Sequence, residues 1–138
     1  PPPEAPTTEA PVTEAPTSDL GQQIANFACQ FVGNPYVWGG TSLTNGADCS
    51  GFVQSVYKNF GYSLPRTCTP QSNAGTAVSL AALAPGDLVF YDHGTGSCEH
   101  VGIYIGNGQI VHASSSRTGI KISNVNYSTP FKACRIVN

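Results

Sequence analysis

Apolar residues fall at two different spacings along this chain, and the change from one to the other divides it. Leu20, Ile24, Phe27 and Phe31 recur every three or four positions, as on one face of a helix. Ser18-Asp19 can cap its start, with Gln22 in the capping-box position, and Gly33 followed by Pro35 ends it. Cys29 falls opposite that stripe. After a turn at Asn45-Gly46, Cys49, Val53, Val56 and Phe60 share a second helical face, flanked by Phe52 and Tyr57 and closed by Gly61. Residues 62–82, with Pro65, Pro70 and a Ser/Thr/Asn cluster, read as irregular. Beyond the Pro85-Gly86 turn the pattern becomes short apolar runs at 88–91, 101–105, 109–113, 120–123 and 132–137, which predict strands. Helices first and strands afterwards predict an α+β domain rather than alternating βαβ units.

Gly106-Asn107-Gly108 joins two of these strands as a hairpin. A two-residue turn at Asn107-Gly108 would pair Ile103 with His112 and put His112 on the opposite face from His100. A three-residue loop with Gly108 in the left-handed position pairs Gly102 with His112 instead. The two histidines then share a face as diagonal neighbours, about 7–8 Å apart at the backbone. Glycine in the third place favours the three-residue loop.

Composition adds an appendage to this domain. Residues 1–17 contain only Pro, Thr, Glu, Ala and Val, with Thr8-Glu9-Ala10-Pro11 echoed by Thr13-Glu14-Ala15-Pro16. Such a tract buries no core and reads as an extended linker, with a glycosylated stalk as the alternative. A chain that opens on a linker is expected to continue from an N-terminal portion holding a signal peptide and targeting modules. The domain proper is expected over residues 18–138. The formal net charge is −2, and the linker holds Glu4, Glu9 and Glu14, so the remainder carries six Lys/Arg against five Asp/Glu, or +1. A nearly neutral domain without a basic stripe or cationic amphipathic helix points away from nucleic acid and from membrane surfaces.

Five cysteines leave one unpaired if the other four form two disulfides, the pattern of a secreted chain with one reactive thiol; five free thiols in a cytosolic protein is the competing reading. Cys49 is the candidate for that thiol. It occupies the first turn of the second helix, where free N–H groups and the positive end of the helix dipole favour a thiolate. His100 is the candidate base, and His112 the group that orients it by accepting its other N–H. The plainer alternatives are a buried structural cysteine and a strand-edge histidine. His93, in a glycine-rich loop beside Asp92, reads as a rim residue. Asp92, His93, Cys98 and His100 crowd one segment, but only Cys98-x-His100 approaches the spacing of a zinc site, so neither metal nor cofactor is expected.

Six runs occur in order: Tyr36-Val37-Trp38-Gly39-Gly40, Asp48-Cys49-Ser50-Gly51-Phe52, Leu64-Pro65-Arg66-Thr67, Pro85-Gly86-Asp87-Leu88-Val89-Phe90, His100-Val101-Gly102-Ile103-Tyr104-Ile105-Gly106 and Val111-His112-Ala113. Together they resemble the NlpC-type family of bacterial cell-wall cysteine endopeptidases over residues 20–138. The resemblance implies a reduced papain-like fold, with the nucleophile helix packed on an antiparallel, barrel-like sheet. It implies cleavage of peptidoglycan stem peptides between γ-D-glutamate and a diamino acid by a monomeric enzyme, secreted or in the cell wall. Cys49, His100 and His112 are then the triad, and Tyr36, Asp48 and Ser50 line the side that holds the residues before the scissile bond. Asp48 would pair with the free amine of an L-alanine, and the Cys49 N–H would help hold the oxyanion. A non-catalytic binding module and an amidase or acyltransferase on the same fold are the competing functions.

The extra cysteines depart from that family pattern. With Cys49 reserved, Cys29, Cys68, Cys98 and Cys134 allow three pairings. Cys68 and Cys98 lie in segments that converge on Cys49 in the implied fold, so Cys68–Cys98 is the expected clamp on the groove. Cys29–Cys134 is then the expected second bond.

Overall fold

The structure is a computed structural model and describes residues 19–137. The linker expected over residues 1–17 and the capping role of Ser18 lie outside the described residues. The elements run α1 (Asp19–Cys29), β1 (Thr41–Ser42), β2 (Gly46–Ala47), α2 (Cys49–Lys58), α3 (Cys68–Ser72), β3 (Thr76–Ala77), β4 (Leu88–Tyr91), β5 (His100–Gly106), β6 (Gln109–Ser115), β7 (Gly119–Asn124) and β8 (Pro130–Arg135). This is the α+β order read from the sequence. One six-stranded antiparallel sheet runs β3-β8-β4-β5-β6-β7, and β1 and β2 form a separate short ribbon.

Both main helices pack by the stripes that define them. α1 buries Ile24, Ala25 and Ala28, and α2 buries Phe52, Val53, Val56 and Tyr57. Those side chains meet Leu88, Phe90, Val101, Ile103, Val111 and Ala113 from one face of the sheet. The other face carries Val89, Tyr91, Tyr104 and Ile110 in a second cluster. Tyr91 pairs with His100 across β4 and β5, so His100 lies on this second face, at the end of the strand nearest the start of α2.

Three details differ from the sequence reading. The first is the hairpin. Asn107 and Gly108 both have positive φ, 55° and 74°, which makes a two-residue turn closed by Gly106 and Gln109. The register then shifts between Tyr104 and Gly106, because Ile105 is an extra residue on β5. That bulge supplies the odd residue assigned to the loop. Ile103 still faces Val111, and Gly102 still lies against His112, whose Cβ would be 3.3 Å from any Cβ placed on Gly102. Second, residues 68–72 form the short helix α3 inside the stretch read as irregular.

The third difference is the expected Cys29–Cys134 bond. Both are free thiols. α1 packs over β5 and β6, and the chain after it bonds to β7, where the Gly33 N–H donates to Ile120 O at 2.9 Å. Cys134 lies on β8, on the far side of β4, buried with its thiol donating to Gln71 O at 3.5 Å. Burial pushes the Cys134 thiol up to about 11. Cys29 is half-buried against the core rather than facing outward from it.

Candidate active site

The start of α2 is built around Asp48. Its backbone is extended (φ −87°, ψ −178°), and its Oδ1 accepts the Gly51 N–H at 2.7 Å, which makes it the N-cap. The preceding run from Pro35 to Gly40 lies alongside residues 47–48: the Val37 N–H donates to Ala47 O, and the Asp48 N–H to Gly40 O. Gly39 N–H reaches Asp48 Oδ2 at 3.0 Å. These bonds set Tyr36, Trp38 and Gly39 beside the helix start. Gly51 has no room for a side chain, since a Cβ there would drive into the Gly40 carbonyl oxygen.

Arg66 completes this corner. Its guanidinium takes both Asp48 oxygens, at 3.1 and 3.0 Å, and also donates to Ser50 Oγ at 3.0 Å and to Gly40 O at 3.4 Å. Asp48 is only 7% exposed. Burial pushes its carboxyl up, but the hydrogen bonds from Arg66, Gly51 and Gly39 and the Arg66 charge outweigh that and hold it below its usual range. The carboxylate that the sequence reading offered to a substrate amine is therefore already neutralised and hydrogen-bonded by the protein. Arg66 is a member of the site that sequence reasoning quoted in a motif without giving it a role. Tyr36 stands close enough for Asp48 and Cys49 to bear on its hydroxyl, which burial first and then those two groups push up.

Across the groove, the two histidines meet. His100 Nε2 and His112 Nδ1 are 2.7 Å apart, and His112 Nε2 is 2.8 Å from Ser123 Oγ on β7. His100 is 6% exposed and His112 fully buried. Their rings are packed by Tyr127, 5.1 Å from His112, and by His93, 5.8 Å from His100 and nearly parallel to it. Burial, then His112 and His93, hold His100 down at about 3. Burial, then Lys121 and His93, hold His112 down at about 4.

Cys49 is the first residue of α2 and lines the same groove as His100. Burial pushes its thiol up, while backbone N–H groups act the other way, first that of Val101, the residue after His100. The sequence reading expected the helix start to yield a thiolate; in the free protein burial outweighs the N–H groups. Burial thus acts against the charged form of both groups, raising the Cys49 thiol and lowering the His100 imidazole.

The groove holds about 710 Å³ and is lined by Cys49 together with Tyr36, Trp38, Ser50 and Arg66 and with His93, Glu99 and His100. Trp38 stands at its rim, 86% exposed. Cys68, at the start of α3, and Cys98, two residues before His100, form a disulfide in the groove wall with a Cα–Cα distance of 5.9 Å. That bond consumes one member of the segment weighed for zinc, and His100 is engaged with His112.

Residues 33–137 match the model of the NlpC/P60 family. The chain is 42% identical over 105 residues to the γ-D-glutamyl-L-lysine dipeptidyl-peptidase of Bacillus cereus, covering 75% of this chain and 31% of that protein. It is 47% identical over 111 residues to the γ-DL-glutamyl hydrolase of Bacillus subtilis, covering 79% of this chain and 26% of that protein. The solved NlpC/P60 domain of the peptidoglycan hydrolase SagA superposes with a TM-score of 0.76 at 36% identity, covering 84% of this chain and 98% of that one. The chain thus spans less than a third of the length of the two curated relatives.

Proposed function

The chain belongs to the NlpC/P60 family, and on that premise we propose that it is a secreted or cell-wall peptidoglycan hydrolase that cuts stem peptides at the γ-D-glutamyl–diamino acid bond. The observation that carries the reading is one groove lined by a helix-start cysteine and by His100, which is bonded at 2.7 Å to the buried His112 behind it. Two relatives whose names share a γ-glutamyl bond, and a hydrolase of peptidoglycan, support the substrate class.

In this reading Cys49 sulfur attacks the γ-carbonyl carbon while its proton passes to His100. With Nε2 of His100 bonded to His112, Nδ1 is the nitrogen left for the thiol. The oxygen of the tetrahedral intermediate takes N–H bonds at the start of α2, with the Cys49 N–H as the first candidate. His100 then gives its proton to the leaving amine of the diamino acid, leaving a γ-glutamyl thioester on Cys49. Water, deprotonated by His100, attacks the thioester and restores the thiol. His112 holds the ring of His100 throughout.

The substrate's amino end is assigned to the corner of Tyr36, Asp48, Ser50 and Arg66. Because Arg66 already pairs with Asp48, a blocked amine leaves no bare carboxylate behind. Selection for a free L-alanine amine then rests on hydrogen bonding and space, on the order of 1–2 kcal/mol, or about five- to thirty-fold. N-acetylation of L-Ala-γ-D-Glu-L-Lys is expected to slow cleavage by that factor, read as kcat/KM. A thousandfold loss would mean that the amine displaces Arg66 from Asp48.

Digestion of the free peptide, followed by mass spectrometry, tests the reading directly. L-Ala-D-Glu and free lysine are expected, and Cys49→Ala is expected to yield neither. Full activity in Cys49→Ala, or no cleavage of any γ-glutamyl peptide by the unaltered chain, would overturn it.

A further inference from the structure

His112 has two ring nitrogens and both are engaged, Nδ1 with His100 Nε2 at 2.7 Å and Nε2 with Ser123 Oγ at 2.8 Å. In a neutral imidazole one nitrogen donates and the other accepts. The three residues therefore have two self-consistent proton arrangements. In the first, the His100 Nε2–H donates to His112 Nδ1, and the His112 Nε2–H donates to Ser123. In the second, the Ser123 hydroxyl donates to His112 Nε2, and the His112 Nδ1–H donates to His100 Nε2. The second arrangement puts the remaining proton of His100 on Nδ1, which leaves no lone pair for the Cys49 proton. Only the first leaves a base. His112 is fully buried and held neutral, so it has no solvent to supply an alternative acceptor.

We infer that Ser123 is a positioning residue of the thiol site: its oxygen supplies the acceptor for the His112 Nε2–H and thereby supports the tautomer that leaves His100 Nδ1 free to take the proton of Cys49. This deepens the thiol-hydrolase reading and rests on it for the role of the base. When His100 takes that proton, its Nε2–H bond to His112 strengthens, and the His112 Nε2–H leans further on Ser123. Serine brings an acceptor without a net charge, which agrees with a pair kept neutral between steps. The placement comes from sheet register. His112 pairs with Lys121 across β6 and β7, and Ser123 is two residues further along on the same face. The groups that face His112 are His100 on β5, Lys121 and Ser123 on β7, Tyr127 in the connection after β7, and His93 in the loop before β5. Of these, only His100 and Ser123 hydrogen-bond its ring nitrogens among the described residues.

The test has two readouts besides turnover. Two-bond 1H–15N NMR of the 15N-histidine-labelled chain reports which nitrogen of His112 carries the proton. Alkylation of Cys49 by iodoacetamide at pH 7, followed on its peptide by mass spectrometry, reports the availability of the base. The unaltered chain is expected to show His112 protonated at Nε2. Ser123→Ala is expected to shift His112 toward Nδ1–H, to slow alkylation about tenfold, and to lower kcat about tenfold on L-Ala-γ-D-Glu-L-Lys with KM unchanged. Ser123→Thr keeps the oxygen and is expected to restore all three. Ser123→Asp is expected to keep the Nε2–H tautomer and, by its charge, to move the acid limb of the alkylation profile to higher pH. An Nδ1–H tautomer in the unaltered chain, or a Ser123→Ala variant with unchanged tautomer and alkylation, overturns the inference. Loss of the γ-glutamyl activity from the unaltered chain, with the tautomer and alkylation shifts intact, would overturn the proposed substrate and leave the role of Ser123 standing.

Discussion

His100 and His112 are held at about 3 and 4 because both imidazoles are buried and each would have to bear its charge beside another ring or a lysine. In the unfolded chain both would titrate near 6.5. Between these limits the unfolded state binds more protons than the folded one, so stability rises with pH and is lost as pH falls from 6.5 toward 3. Each histidine is expected to cost about 2 kcal/mol by pH 5 relative to pH 7.5, a window in which ordinary carboxylates stay ionised. Urea unfolding at a series of pH values checks this, and His112→Gln should remove about half of the slope. A flat stability profile from pH 7.5 to 5 would mean that the pair is charged in the folded state. The residues of this site differ in how far the sequence revealed them. Cys49 announces itself by its place after a turn and before an apolar helical face, and the histidines by their place on a hairpin. Arg66 and Ser123 do not, because the contacts that matter cross the fold: Arg66 meets Asp48 from 18 positions away, and Ser123 reaches His112 through the β6–β7 register.

At the scale of the element, α2 positions Cys49, the proposed nucleophile, because three features agree. Asp48 caps it, its apolar face packs on β5 and β6, and Gly51 lets its first turn close on the Gly40 carbonyl. Gly51→Ala is expected to force these backbones apart and to destabilise the fold by about 1–3 kcal/mol. Its cost to kcat/KM should exceed its cost to stability, since the displaced turn carries Cys49; thermal unfolding and peptide turnover measured on one preparation separate the two. Activity within twofold of the parent would show that the turn tolerates the methyl group. The helical and strand patterns that predict these elements survive folding because each has a single buried face. α3 escapes notice since it is one turn long and contains Pro70. The hairpin turn escapes because a bulge is set by strand twist and packing, which period-2 alternation does not record.

At the scale of the whole molecule, the groove lies between segments far apart in the chain, and the Cys68–Cys98 disulfide ties two of them together. One cysteine opens α3, and the other lies two residues before His100. A bond spanning 30 positions removes loop entropy from the unfolded chain worth about 3.6 kcal/mol in the chain-entropy model. Both cysteines line the groove, and Cys98 is two residues from His100, the proposed base. Cys29 and Cys134 are already free thiols, so a reductant acts on the Cys68–Cys98 bond alone among the described residues. Treatment with a phosphine reductant is expected to lower Tm by on the order of 10 °C, and the Cys68→Ser/Cys98→Ser variant should show the same drop without reductant. If the bond merely stabilises, turnover at 20 °C should be unaffected in both. If it also positions His100, as its attachment two residues away implies, both should lose turnover well below their melting range, with KM rising because the groove wall loosens. An unchanged Tm on reduction, with alkylation of all five cysteines of the untreated chain, would show that the bond does not form in solution.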